Sequence, residues 1–210
     1  MDNTAWLLKL KELKLKDARE FLGTSEIRIS SILLTQDPED TPPITPEEVA
    51  ARVQCIFADQ KIIEVDYVKD NKKFYFGPFG LIVGARPQVP LAFEWLLNVT
   101  ESDQGVRSFG EATEYFMGNS LLVPAAERAL GLLSQNPLVP VVFTVAKEVI
   151  KQVAKVMQSN KDDQVGLFDI TAAAWCDYPH GDAVADDIVD LTDNCSMSFA
   201  MFTNPAILTS

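Results

Sequence analysis

The chain has 210 residues, 47% of them hydrophobic, and carries 30 aspartates and glutamates against 18 lysines and arginines, for a net charge of −12. That length and apolar content are enough for one domain with a sizeable core. The acidic balance opposes phosphate backbones and anionic lipid headgroups, which need lysine and arginine gathered on one face, so nucleic acid is not an expected partner and membrane-surface binding is not assumed.

The first sixteen residues, MDNTAWLLKLKELKLK, have an acid at position 2 and charges throughout, unlike a secretory signal. The expectation is a cytoplasmic chain or one exported by a non-classical route. No stretch approaches the roughly eighteen apolar residues of a membrane span, so no transmembrane segment is expected.

From Leu7 to Leu15 leucine alternates with lysine or glutamate, and period two predicts a half-buried strand. A turn ending in Gly23-Thr24-Ser25 leads into a second strand over Glu26–Leu34. Asp37 to Pro46 holds four prolines and reads as an exposed loop. Thr45-Pro46-Glu47-Glu48 offers a capping box, with Val49, Val53 and Ile56 following at helical spacing, which predicts a short helical turn; alternation of Val53, Cys55 and Phe57 leaves a strand open. Ile62–Val68 and Phe74–Gly77 read as the two strands of a hairpin across Asp70-Asn71-Lys72-Lys73. Gly77, Gly80 and Gly84 mark a turn, and Pro90–Thr100 is a strand with its odd positions inward.

The pattern then becomes helical over Glu111–Met117, Leu122–Gln135 and Val141–Gln158. In the last, Val145, Val149, Ile150, Val153 and Val156 form one face, and Lys147, Lys151 and Lys155 repeat on the other as an outer basic stripe. Strands return over Val165–Trp175, Asp187–Leu191 and Ser196–Thr203. The fold class is therefore mainly β with a helical insertion (α+β): a single domain, with an antiparallel β-sandwich at 1–110 and 160–210 interrupted by a helical hairpin at 111–159.

Motifs for catalysis are sparse. The single histidine, His180, has no nucleophile elbow or cysteine signature beside it. Cys55, Cys176 and Cys195 form no Cys-x-x-Cys pair; Cys176 with Cys195 is an available disulfide, and free buried thiols are the alternative. The sequons at Asn98 and Asn194 read as chance. An acidic hydrolase using two aspartates is one available reading, but only Trp175 and Tyr178 accompany the acids as sugar-stacking aromatics.

The sharpest feature is acidic. From Asp162 to Asp193 there are nine aspartates and no glutamate, lysine or arginine. Such a run is either a set of solvated loops or a site for a hard cation such as calcium, which takes six to eight oxygen ligands in irregular geometry. Asp162-Asp163-Gln164-Val165-Gly166 resembles the third metal loop of C2-like calcium-binding β-sandwiches, which reads Asp-Asp-x-Ile/Val-Gly before a strand. The opening is similar too, with an amphipathic strand, Asp17, and then Ser25-Glu26-Ile27-Arg28-Ile29, although Ser25 stands where that family carries an aspartate. The resemblance covers Trp6–Leu34 and Asn160–Phe202. It implies a C2-like sandwich holding Ca2+ on Asp17, Asp162 and Asp163, with Asp186 and Asp187 as further ligands. The resulting expectation is a non-enzymatic calcium-binding module for binding or adhesion to a protein partner. The alternative is a self-associating structural subunit of an oligomer or filament without metal.

Overall fold

The computed structural model describes residues 6–17, 25–36, 45–58, 61–101, 122–133, 141–159, 164–173 and 183–203. In chain order they form β1 (Trp6–Leu15), β2 (Ser25–Gln36), α1 (Pro46–Ala58), β3 (Lys61–Val68), β4 (Lys73–Tyr75), β5 (Leu81–Arg86), β6 (Ala92–Glu101), α2 (Leu122–Leu133), α3 (Val141–Ser159), β7 (Gln164–Ala173), β8 (Ala183–Val189) and β9 (Cys195–Phe202). The strands make the expected antiparallel sandwich. One sheet runs β4-β1-β9-β8, with β5 also on β1; the other runs β3-β2-β6-β7.

The leucine alternation of β1 changes phase midway, from Leu8 and Leu10 to Leu13 and Leu15. An irregularity in its pairing with β9 between Leu10 and Glu12 absorbs the extra residue. A one-residue slip would otherwise turn the second half of the strand inside out. With that correction all four leucines enter the inter-sheet core, where they meet Phe93, Trp95, Leu97 and Val99 of β6. Each fully buried leucine contributes about 1.5–3 kcal/mol. Trp6 and Phe93 pack with ring centroids 5.6 Å apart, and Trp95 meets Phe199 edge-on at the same distance.

The odd positions of β6 point inward as expected, but its even positions are buried too. Above them lies a second core, in which Ile32, Leu34, Leu96 and Leu167 from the sheet meet α1, α2 and α3. The helical layer is thus not made by the 111–159 insertion alone. The capping box at Thr45 opens a full helix of 13 residues, not one turn. Thr45 Oγ1 accepts from the Glu48 amide at 3.2 Å, and Glu48 Oε2 accepts from the Thr45 amide at 3.3 Å. Val49, Val53 and Phe57 then bury one face while Cys55 stays exposed, which decides the segment for helix.

The expected hairpin of β3 and β4 does not form. β3 pairs with β2 and β4 with β1, so the turn at Asp70 and Asn71 carries the chain from one sheet to the other. The crossing is fastened to β1, with the Asn71 amide on Lys16 O (3.0 Å) and the Leu15 amide on Lys72 O (2.8 Å). Gly84 lies inside β5, not in the turn, and a Cβ there would come 2.1 Å from Leu33 Cδ2. The predicted 37–46 loop up to Ile44, the predicted helix at Glu111–Met117, and residues 204–210 lie outside the described residues.

Candidate functional site: the loop end and the open sheet face

The end of the sandwich where β1 finishes is built around two side chains the sequence did not single out. Asp190, 6% exposed, directly follows β8. Its Oδ1 accepts from the amides of Asn194 (2.8 Å) and Cys195 (2.7 Å), and its Oδ2 from the amides of Leu167 (2.9 Å) and Thr192 (2.9 Å) and from Thr192 Oγ1 (2.5 Å). A single side chain that accepts five donors from two segments anchors the loop. Asn194 then ties three segments together. Its Nδ2 donates to Asp17 O (2.8 Å) and Val165 O (2.7 Å), and its Oδ1 accepts from the Asp17 amide (3.0 Å). Asn194 is 6% and Asn98 0% exposed, so in the folded chain neither sequon offers its amide to solvent.

Of the proposed ligands, Asp17 sits exposed at this end, bound through its backbone to Asn194. Asp162 and Asp163 lie outside the described residues, as do Cys176 and His180. Gln164, the next residue, begins β7, whose Val165 shares the Asn194 amide with Asp17. Asp186 and Asp187 stand apart, at an irregularity in β8 where both lie opposite Ser198 of β9. Asp187 has φ 54°, a left-handed conformation that aspartate tolerates better than most residues. A bulge of this kind on an edge strand discourages pairing with another chain. Gly166 has no such φ; a Cβ there would meet Cys195 Sγ at 2.5 Å, so close packing of β7 on β9 is what requires glycine.

The positive charges among the aspartates come from β1. Lys16 Nζ pairs with Asp193 at 2.7 Å, and Lys14 Nζ with Asp187. Lys14 also lies 3.3 Å from Glu12, which Lys73 meets at 2.7 Å. The hydrogen bond from Lys73 holds the Glu12 carboxyl below its ordinary range, and that from Lys14 does the same for Asp187. Their partners respond in the opposite sense, Lys14 raised chiefly by Asp187 and Lys73 by Glu12. Among the described residues no three histidine, cysteine or acidic side chains converge on one point.

This lysine–carboxylate chain crosses the outer face of the β4-β1-β9-β8 sheet. A groove of about 400 Å³ runs beside it, lined by Lys9, Lys11, Tyr75, Phe79, Asp186 and Phe202 among others. Phe79 is 79% and Tyr75 68% exposed. Phe79 is held out by the turn between Gly77 and Gly80, both of which take left-handed φ and are therefore glycine. Lys9 lies over the Phe202 ring at 5.3 Å and Lys73 over Tyr75 at 4.6 Å, both within cation–π range.

On the opposite, helix-covered sheet, the expected outer stripe of α3 divides. Lys151 and Lys155 are exposed, but Lys147 turns inward to meet the buried Glu94 at 2.8 Å. No helix among the described residues is long and apolar enough to cross a membrane. No protein-family model matches this chain, and no curated protein does either.

Proposed function

We propose that the protein is a β-sandwich binding module, without catalytic activity of its own, that engages a protein partner through the open sheet face. The observation that carries this reading is the asymmetry of the two sheets. One has the outer face of β2, β6 and β7 packed against three helices. The other leaves a groove with two largely exposed aromatic rings beside a charge chain that is already internally paired. Exposed aromatic side chains in a concavity are the usual anchors of protein interfaces. The test is to select peptide ligands against the folded chain and map their contacts by amide chemical shifts, with Tyr75→Ser/Phe79→Ser as the control.

A second reading, calcium at the loop end, is favoured by the Asn194 clamp, which brings the backbone of Asp17 next to the strand that follows Asp162 and Asp163. Asp17, Asp162 and Asp163 are its ligands in this reading. Asp187 is the weakest member of the original set because Lys14 already neutralises it. Calcium bound only by the folded chain raises its stability by about 2.7 kcal/mol at one hundred times the dissociation constant. Millimolar calcium should therefore raise the melting temperature relative to EDTA; an unchanged melting temperature overturns this reading.

A further inference from the structure

Beneath α3 lies a pair of carboxyl groups that neither reading uses. Glu94 of β6 is 1% exposed. Its Oε2 accepts from Lys147 Nζ at 2.8 Å and from Thr171 Oγ1 at 2.7 Å, while its Oε1 is buried with no donor. The β6–β7 register sets Glu94 opposite Thr171 and Leu96 opposite Asp169, so Asp169 is the diagonal neighbour of Glu94 on the same face. Asp169 Oδ1 is also buried with no donor. Each of these two neighbouring carboxyl groups thus carries an oxygen without a donor, and Lys147 is the only cation paired with Glu94 among the described residues.

A proton held between the two oxygens satisfies both, because the protonated acid donates to the carboxylate. We propose that Glu94 and Asp169 bind a single proton between them and that this proton governs how firmly α3 seats on the sheet. Burial first, then the charge of Glu94 and the hydrogen bond with it, push the Asp169 carboxyl up to about 6, against the lowering effect of Lys147 and Lys151. Among the described residues, the charged groups that act on Asp169 are Glu94 from β6 and the two lysines from α3. On this side β2 presents Ile32 and Leu34, which are uncharged.

The direction of the pH effect follows from linkage. An acid whose value is raised on folding contributes stability that is complete below its ordinary value of 3.8 and is lost as the pH rises through about 6. Any opening of the seam that lets water reach Asp169 returns it to that ordinary value. Raising the pH through this window therefore favours lifting of α3.

The test combines a side-chain carboxyl NMR titration of the wild-type chain with hydrogen exchange of the α3 amides at about pH 5 and about pH 7.5, corrected for intrinsic rates. The Asp169 carboxyl should titrate near 6, and α3 should exchange several-fold faster at the higher pH. In Asp169→Asn, which fixes the neutral form, that pH dependence should fall to the background set by the other acids. The other acids of this chain supply a background that the variant shares, so the comparison isolates Asp169. A carboxyl titrating in the ordinary aspartate range, or an α3 response as large in the variant as in wild type, overturns the proposal. The titration is read on the unaltered chain and stands however the variant folds.

Discussion

At the residue scale, four of the described aspartates of the acidic stretch have separate tasks. Asp190 organises a loop, Asp187 occupies a strained position on an edge bulge, Asp193 closes a turn under Lys16, and Asp169 shares a buried face with Glu94. From the sequence Asp187 reads as a further calcium ligand and Asp190 and Asp193 as solvated loop, because the lysines that pair with Asp187 and Asp193 are remote: Lys14 and Asp187 are 173 residues apart. What could have flagged Asp190 is the spacing Asp-x-Thr-x-Asn, since a short acid followed by backbone amides two to five residues on is the signature of a side-chain-capped turn. Asp190→Ala leaves four backbone amides and a hydroxyl without their acceptor, at a cost of about 3 kcal/mol or more. Urea unfolding measures it. A loss below about 1 kcal/mol, the worth of an ordinary hydrogen bond, would mean that the loop is held by other contacts.

At the scale of elements, strands and helices with a clean period were legible and their partners were not. The alternation in β1 and β6 and the apolar face of α3 follow from local spacing alone. The pairing of β4 with β1 in place of β3 depends on residues about sixty positions away, to which no local pattern points. Lys147 departs from its local pattern for a related reason. Helical spacing puts it with Lys151 and Lys155, but the buried acid that draws it inward belongs to β6. At α1 the local signal extends to a whole helix. The reciprocal bonds of Thr45 and Glu48 start a helix that packs against both others, so Thr45→Ala should cost about 1 kcal/mol, and Thr45→Ser much less. Thermal or urea unfolding of the two variants against wild type checks the order.

At the scale of the molecule, the described residues form three layers, a helical layer on one sheet and the second sheet beyond it with its outer face uncovered. Helices laid on β2, β6 and β7 create a second core and explain why β6 is buried on both faces. The β4-β1-β9-β8 sheet has no such cover among the described residues, and its outer face combines aromatic exposure with a paired charge chain. The net charge of −12 keeps copies apart at low ionic strength, so a self-associating subunit would assemble more readily in salt. Mass photometry across a salt series therefore separates the two kinds of partner: a monomer throughout argues for a different protein on the face, and salt-driven oligomers argue for a second copy.

The open face itself is tested most directly by chemical-shift mapping of peptides selected against the wild-type chain. Shifts should concentrate on β1, β4, β9 and the Gly77–Gly80 turn, and binding should fall at least about tenfold in Tyr75→Ser/Phe79→Ser, the loss expected when interface anchors are removed. Peptides that map to the helical face, or that bind the double variant as tightly as wild type, would contradict the account.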